Sequence, residues 1–317
     1  MKRTILPLIL FVVVLSSCAT LKNVLDMAQP LPYRLISSDQ LVREAALKEF
    51  FELGAAEKKD VVLEIVRIFG REKDPVARAR ILTNLTDLKT GVYVIVPLIL
   101  AAKENVDIKD FSPVIDFIKG MKPDPADITS LINLLSDPQW EVRLMAMTAL
   151  SNLAGHAELA FPFIAESMKE FGADPAKYYE VFDNLLKINP EMAVTKLILD
   201  LKDPDSQIRR NALEKLIEMR AYLSPKLGAV KEIVPAFIRS LYSEDGELAK
   251  MAEDTLKKIN DPEAKKALES YIGMGKTALK ALMGFAGKQM EQLFKAQEDG
   301  LMKKLERYYD SMGYKRR

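Results

Sequence analysis

Residues 137–153, DPQWEVRLMAMTALSNL, decide the fold of this chain. Apolar side chains recur there at intervals of three or four residues, at Val142, Ala146, Leu150 and Leu153. Side chains at this spacing share one face of an α-helix, which has about 3.6 residues per turn. Asp137 and Pro138 mark the helix start, because the carboxylate accepts free amide hydrogens and proline needs no partner in the first turn. The stretch therefore predicts a turn followed by a helix that buries one face.

The same pattern returns along the chain. We call the spacing of Val142, Ala146, Leu150 and Leu153 the repeat frame. The same spacing recurs in segments whose first residues are Val42, Ala77, Lys177, Ile208 and Leu248. A weaker copy lies around Ile108–Ile118, where Pro113 disturbs it. Successive copies are about 31 to 40 residues apart, which is long enough for two helices and a turn. The sequence thus predicts an array of helix pairs.

The segments between these copies also show helical spacing. They are predicted as the first helices of each pair: Ala55–Phe69, Val92–Lys103, Ala126–Leu135, Ala157–Phe171, Pro190–Leu201 and Val230–Tyr242. The β-branched run VYVIVPLIL (92–100) could form a strand, but Pro97 would damage a strand ladder and the repeat requires a helix. We therefore expect an all-α chain.

The stretch 137–153 resembles the second helix of a HEAT repeat, with its Asp-Pro turn, Val142-Arg143 and helically spaced Ala and Leu. The resemblance implies an α-α superhelix, a HEAT-like solenoid of about seven hairpins over residues 35–260. In that family the turn Asp and the Arg after Val often form a ladder between neighbouring repeats. The implied pairs are Asp39/Arg43, Asp74/Arg78, Asp137/Arg143 and Asp203/Arg209.

The N-terminus reads as an export signal. Lys2 and Arg3 precede an uncharged apolar run over residues 4–15, and small residues follow. This order is typical of a secretory signal peptide, and the run is shorter than the roughly 20 residues that span a bilayer. A buried helix of the folded domain is the alternative. Residues 1–17 are thus predicted to be removed.

Leu15-Ser16-Ser17-Cys18 closely resembles the bacterial lipobox. The resemblance implies that Cys18 receives a diacylglycerol, becomes the first residue and is often acylated again. Ala19 in place of Asp favours the outer membrane over the inner membrane in enterobacteria. Residues 18–34 would then be the lipidated cysteine and a short tether. Two or three acyl chains give lasting attachment where a single chain does not.

Charge and cysteine content exclude several classes of protein. Loss of Lys2 and Arg3 with the signal lowers the basic residues from 46 to 44, against 45 acidic residues. This balance argues against a general nucleic-acid-binding protein, which would carry a basic excess. Cys18 is the only cysteine, so an exported chain would have no internal disulfide.

No catalytic or metal-binding pattern stands out. His156 is the only histidine, which excludes histidine-rich metal sites and disfavours a Ser-His-Asp triad. Gly275-Lys276-Thr277 imitates the end of a phosphate-binding loop, but Ser270 stands where that loop needs glycine. We expect no metal, no cofactor and no enzymatic activity.

Residues 261–317 depart from the repeat and form a C-terminal helical extension with the basic tail Lys315-Arg316-Arg317. A helix is predicted over 288–312. The extension could cover the last apolar face of the array, or project and bind. Its Met/Phe stripe, flanked by lysines, also fits a helix at a membrane surface: Met283, Phe285, Met290 and Phe294.

These features favour a membrane-anchored scaffold or assembly factor of the bacterial envelope that binds protein partners. Trp140, Met147, Tyr178 and Arg210 are the candidate partner contacts, with packing between repeats as the alternative for the aromatic residues. Two other functions stay open: a HEAT-like lyase, and membrane remodelling through residues 264–312.

Overall fold

The computed structural model describes residues 27–88, 93–219, 231–243, 245–259, 262–273 and 287–314, except the side chains of 287–294 and 297. Several predictions concern other residues. The signal peptide with its lipobox (Leu15, Ser16, Ser17, Cys18, Ala19), the Gly275-Lys276-Thr277 stretch, the Met/Phe stripe and the basic tail lie outside the described side chains. The described residues form helices and turns and contain no strand, which confirms the predicted all-α class.

Contacts divide the chain into two compact units, residues 1–149 and 150–317, with the division inside one helix. Unit 1 contains α1 (Leu31–Leu35), α2 (Gln40–Glu52), α3 (Ala55–Arg71), α4 (Pro75–Asp87), α5 (Ile95–Glu104), α6 (Ser112–Lys119), α7 (Ile128–Leu134) and most of α8 (Trp140–Asn152). Unit 2 continues with α9 (Phe161–Ser167), α10 (Pro175–Ile188), α11 (Pro190–Asp200), α12 (Ser206–Met219), α13 (Ile233–Ser240), α14 (Gly246–Lys258), α15 (Pro262–Gly273) and α16 (Gly287–Ser311).

In the part of the chain that the structure describes, the first fourteen helices form seven successive pairs, in agreement with the roughly seven hairpins expected from the sequence. We call the first helix of each pair an A helix and the second a B helix. Within unit 1, A helices α1, α3 and α5 contact in series, and B helix α4 contacts α6. Within unit 2, B helices α10, α12 and α14 contact in series, and α13 contacts α15. Each unit is therefore a stack of helix pairs in which like helices lie side by side.

Helix starts follow the predicted capping chemistry. The carboxylates of Asp39 and Asp74 accept the amide hydrogens of the second and third residues of α2 and α4. Asp245 does the same at α14. Proline is accommodated in first turns, including Pro97 in α5, where no helical hydrogen bond is lost. The run 92–100 that could have formed a strand is helical from Ile95 onward.

One predicted helix is interrupted. Residues 157–171 are a short α9 flanked by the 3₁₀ segments Ala154–Ala160 and Met168–Phe171. Ala157 has non-helical angles, and Pro162 occupies the first turn of α9. Proline lacks the amide hydrogen that would continue an upstream helix, so α9 begins at this point.

Gly172 shows how tightly the pairs of unit 2 pack. A β-carbon at this position would lie 2.5 Å from Cγ1 of Ile208, and the Gly172 carbonyl accepts a 2.9 Å hydrogen bond from Asn211. We expect Gly172→Ala to reduce the free energy of unfolding by about 1–3 kcal/mol, because overpacking forces neighbours to shift. Chemical denaturation measures the change.

Gly300→Ala is the matched control. Gly300 lies within α16 and has open space where a β-carbon would be added. Alanine there should leave stability unchanged or raise it by up to about 1 kcal/mol, because glycine is a poor residue inside a helix. Equal effects of the two substitutions would show that the close approach of Gly172 and Ile208 is unimportant.

Candidate interaction surfaces

The C-terminal helix folds back onto unit 2. We call residues 298–314 the strap. The strap packs on the A helix α11, and Leu301, Leu305 and Tyr309, spaced four residues apart, are almost fully buried. Side chains at this spacing share one helical face. One face of the helix predicted over 288–312 is thus buried within unit 2.

Charged side chains border the strap on both sides. Lys202 pairs with Glu298, and Lys304 Nζ lies 2.5 Å from Glu191 Oε1. All four side chains are partly exposed, so each pair should contribute little net stability. Glu191 belongs to α11 and Lys202 follows its end, so both pairs join the strap to this part of the chain.

Aromatic rings hold the end of the strap. The Tyr308 ring meets Phe161 edge-on with centroids 5.3 Å apart, and Tyr314 meets Phe163 at 4.8 Å. Tyr309 and Tyr314 are 5.6 Å apart. Edge-to-face pairs add about 0.5–1.5 kcal/mol each beyond area burial. The strap is therefore anchored on α9 as well as on α11.

A buried polar cluster lies between α10 and α11. The Tyr178 hydroxyl donates a 2.8 Å hydrogen bond to Asp200 Oδ2, and Lys196 pairs with the other carboxylate oxygen. The side chains of Lys196 and Asp200 are only 7% and 5% exposed. Burial, followed by the Asp200 charge, raises the pKa of Tyr178 well above its usual value. Within this cluster the lysine and the phenol both stabilise one buried carboxylate.

Two cavities of about 220 and 210 Å³ flank the strap. Glu298 and Lys202 line both cavities, and Lys196 and Asp200 line the second. These charges pair with each other, as described above. No group of three side chains suited to a metal ion occurs in the described part of the chain. Both cavities thus have mixed apolar and charged linings beside the strap.

The B helices of unit 2 are joined across repeats by charged side chains. Lys215 Nζ on α12 lies 3.0 Å from Asp183 on α10 and 3.3 Å from Glu218, and it faces the Tyr179 ring. Tyr179 donates a 2.6 Å hydrogen bond to Glu214. Because Lys215 is only 9% exposed while Asp183 and Glu218 are more than half exposed, the cation lies beneath the acidic groups.

A second network links α12 to α14. Arg210 Nη1 lies 2.5 Å from Glu247 Oε2, and Arg209 Nη2 lies 3.5 Å from Asp245 Oδ2. Burial alone would raise the pKa of Asp245, but backbone hydrogen bonds from Leu248 and Glu247 and the arginine charges lower it overall. Asp245 thus both caps α14 and accepts the ion pairs from the preceding repeat.

Carboxylates occupy one repeated position on this surface. In the repeat frame, Asp183 of α10, Glu214 of α12 and Asp254 of α14 are equivalent, and all three are exposed. Their helices contact in series. We call this set the acidic row. The equivalent positions in three earlier copies hold Lys48, Thr83 and Thr148, so the acidic row belongs to unit 2.

The structure buries two of the four candidate partner contacts. Met147 and Tyr178 are fully buried: Met147 lies within α8, and Tyr178 donates to Asp200. Neither side chain reaches a surface that a partner could touch. Trp140 is half-buried, and the centroid of its ring lies 6.0 Å from the Arg143 guanidinium. Arg210 is partly exposed and belongs to the network with Glu247.

The predicted ladder arginines mainly bond to backbone. Arg43 donates to the Ser37 carbonyl, and Arg78 donates to the carbonyls of Glu72 and Lys73 and, at 3.4 Å, to that of Asp107. Arg209 donates to the Asp203 carbonyl and reaches the next repeat through Asp245.

The predicted turn aspartates act locally or pair elsewhere. Asp39 and Asp74 cap their own helices, and Asp203 accepts the amide hydrogen of Asp205. Asp137 accepts the amide hydrogen of Gln139, and it pairs at 2.5 Å with Lys103 of α5. Among the predicted ladder arginines, Arg209 is thus seen to pair with an aspartate of the following repeat, Asp245.

Other linking residues were not predicted. Buried Asn211 bonds to the Gly172 carbonyl, and buried Asn105 bonds to the carbonyls of Phe69 and Glu72 at the end of α3. An asparagine on a helical face carries no sequence signal for such a bond. The four-residue spacing of Lys196 and Asp200 could have predicted their pairing, but not their burial.

Alkaline pH should destabilise the protein. Unfolded tyrosine ionises near pH 10, whereas burial raises the pKa of folded Tyr178, so above pH 10 ionisation favours the unfolded state. The free energy of unfolding should keep its full value below pH 10. Above pH 10 it should fall by about 1.4 kcal/mol per pH unit for each such tyrosine, until the pH reaches the raised pKa of the folded state. The pKa is also raised at Tyr93, Tyr179, Tyr242 and Tyr308.

Urea unfolding between pH 8 and 11 measures this effect. Tyr178→Phe should make the loss of stability with pH less steep, because one group with a raised pKa is removed. An unchanged slope in this variant would contradict the assignment.

Comparison with protein-family models gives a match to a helical repeat. The sequence model of the HEAT repeat matches residues 128–157. A search of curated proteins finds no match. Similar solved structures include an engineered protein with 19% identity and a TM-score of 0.31, covering 81% of this chain and 74% of its own.

Two designed armadillo repeat proteins are also similar. One has 17% identity and a TM-score of 0.27, with 73% of this chain and 98% of the other covered. The second, solved with the peptide (KR)4, has 15% identity and a TM-score of 0.23, with 86% and 97% covered. The family-model match, together with the stacked pairs of each unit, makes this a helical-repeat chain with one recognisable HEAT repeat.

Proposed function

We propose that this chain is a lipoprotein of the bacterial envelope that binds partner proteins through the B helices of unit 2. Stacked helical repeats offer extended surfaces on which many weak contacts act together. The lipid on Cys18 would keep the bound partner at the membrane, with the periplasmic side of the outer membrane favoured by Ala19. The repeat body acts as a scaffold in this proposal and carries out no reaction.

The packing of the strap is the observation that carries the choice of surface. Leu301, Leu305 and Tyr309 already occupy the A helix α11, so a partner binding there would have to displace buried side chains. The acidic row on α10, α12 and α14 is exposed instead. Complementary charge guides association and selects partners, so we expect the partner to present basic residues.

Site-specific crosslinking tests this surface. A photo-crosslinking amino acid replaces Glu214 in the acidic row or, as the matched control, the exposed Glu306 of the strap. After irradiation of cells, we expect adducts of defined mass from position 214 and none from 306. Adducts at 306 alone would overturn the choice of the B-helix surface.

Neutralising the acidic row tests the role of charge. With the crosslinking amino acid placed instead at the exposed Lys187, one helical turn after Asp183 on α10, the substitutions Asp183→Asn, Glu214→Gln and Asp254→Asn together should reduce recovery of the crosslinked partner several-fold without changing the helical content. The matched control neutralises exposed carboxylates elsewhere in unit 2, at Glu269, Asp299 and Glu306. Equal losses in the two triple variants would argue against specific recognition by the acidic row.

Metabolic labelling tests the anchor. The chain, expressed with its own N-terminus in a bacterial host, should incorporate radioactive palmitate and fractionate with membranes. Cys18→Ala should abolish the label, because Cys18 is the only cysteine of the chain. Label that persists in this variant, or no label in the unchanged chain, would refute lipidation at Cys18. Among the described helices, none is both long and apolar enough to cross a bilayer.

A further inference from the structure

The first helix pair exposes an unusual number of apolar side chains. Among the described residues, ten large hydrophobic side chains are exposed, and four of them lie between residues 27 and 51. Leu41 is 67% and Phe51 52% exposed, and Tyr33 and Met27 are also exposed. We call these four exposed side chains, taken together, the N-terminal apolar patch.

Two of the four project from α2 on the side away from the core. Val42, Ala46 and Phe50 are buried and define the inward side of this helix. At about 100° per residue, Leu41 and Phe51 both point about 140° away from the centre of that side. Glu44 and Lys48 lie between them on the outward side, and both are exposed. The outward side of α2 thus carries an apolar residue near each end, with a glutamate and a lysine between them.

The outward side of a surface helix is normally polar, because its side chains face water. Exposed apolar surface of this kind marks an interaction with a protein or a membrane. Tyrosine and phenylalanine beside lysine are the residues that lie well at the boundary between headgroups and acyl chains.

The short chain between Cys18 and the patch limits how far the patch can lie from the proposed lipid. Nine residue steps separate Cys18 from Met27, so fully extended chain places them at most about 30 Å apart. We propose that the N-terminal apolar patch rests on the lipid interface and orients unit 1 on the membrane. This inference rests on the proposed lipid at Cys18 and assigns a second, non-covalent contact to the same anchor.

The charges of this helix pair indicate which lipids suffice. Residues 27–52 contain Arg34, Arg43 and Lys48 against four acidic residues, so they have no basic excess to attract anionic lipid. Arg34 is moreover paired with Glu49 at 2.6 Å. Contact should therefore depend on apolar burial and be as strong on zwitterionic as on anionic vesicles.

A thiol-directed dye tests the contact. Lipidation consumes the only native thiol, so Phe51→Cys or Leu41→Cys in the mature lipidated protein offers a single labelling site. A polarity-sensitive maleimide dye is attached, and the protein is reconstituted into phosphatidylcholine vesicles with or without brominated acyl chains. Ile272→Cys, at a 60% exposed position of unit 2, is the matched control.

We expect brominated lipid to quench the dye at 51 and 41 about twofold, because interfacial groups lie within reach of the acyl chains, and to leave the dye at 272 unquenched. Equal quenching with and without anionic lipid is also expected. Dye that is unquenched at both 51 and 41 would overturn the inference. If the unquenched dye is also blue-shifted, protein covers the patch instead of lipid, either a second copy of the chain or residues 19–26.

Failure of the anchor gives a different result. If Cys18 is not lipidated, the protein without an introduced cysteine will itself react with the maleimide and will not stay with the vesicles. Labelling of the unchanged protein would thus refute the lipid on Cys18, whereas vesicle-bound protein with an unquenched dye would refute only the membrane contact of the patch.

Discussion

Asp200→Ala is expected to lower the free energy of unfolding by about 3–5 kcal/mol. The substitution leaves the Lys196 ammonium buried without its carboxylate and removes the acceptor of the Tyr178 hydroxyl. A buried charge that loses its partner keeps the full cost of leaving water, which makes this loss larger than that of a surface pair. Urea denaturation followed by circular dichroism measures the change.

The control replaces the whole cluster. Lys196→Met, Asp200→Leu and Tyr178→Phe together remove both charges and the hydroxyl while filling similar volumes. This variant should recover most of the stability lost in Asp200→Ala, because buried ion pairs are often replaceable by well-packed apolar residues. A single Asp200→Ala variant within about 1 kcal/mol of the parent would contradict the buried pairing.

Leu305→Asp is expected to detach the strap. Leu305 is 1% exposed in the surface between α16 and α11, and a carboxylate there would be buried without a partner. Loss of its apolar contacts alone costs about 2–5 kcal/mol in typical cores. Hydrogen exchange should therefore accelerate across residues 298–311 and on α11, while α1 to α6 keep their protection.

Lys303→Asp is the matched control on the same helix. Lys303 is exposed, so the same new charge there should leave the exchange of α11 unchanged apart from a small effect on helix stability. If Leu305→Asp also leaves α11 protected, the strap does not cover α11 in solution. The A helix α11 would then be as open to a partner as the B helices.

The sequence predicts the helix pairs because their cause is local. Apolar residues recur once per helical turn and once per pair, and Asp39 and Asp74 provide carboxylates where helices begin. The repeat frame predicts one continuous helix over 157–171. The interruption is signalled only locally, by Pro162. Prolines in first turns otherwise fit the prediction.

The surfaces are only partly predictable from the sequence, because they depend on which helix faces are covered by distant parts of the chain. Met147 lies at an apolar position of α8, where Leu144 and Met145 are buried as well. A helix that is apolar on more than one side is buried on more than one side, and this signal was present in residues 144–147. The packing of Leu305 and Tyr309 onto α11, by contrast, depends on chain more than a hundred residues away, which helical periodicity does not encode.

The mass of the N-terminal peptide tests the central claim most directly, because the scaffold's place at the membrane and the contact of the first helix pair both depend on it. Protein produced in a bacterial host is extracted from the membrane fraction, digested and analysed by mass spectrometry. We predict a first peptide that begins at Cys18 and carries a diacylglycerol, with or without an added amide-linked chain. A first peptide that begins at Met1 and has a free thiol at Cys18 would contradict the account.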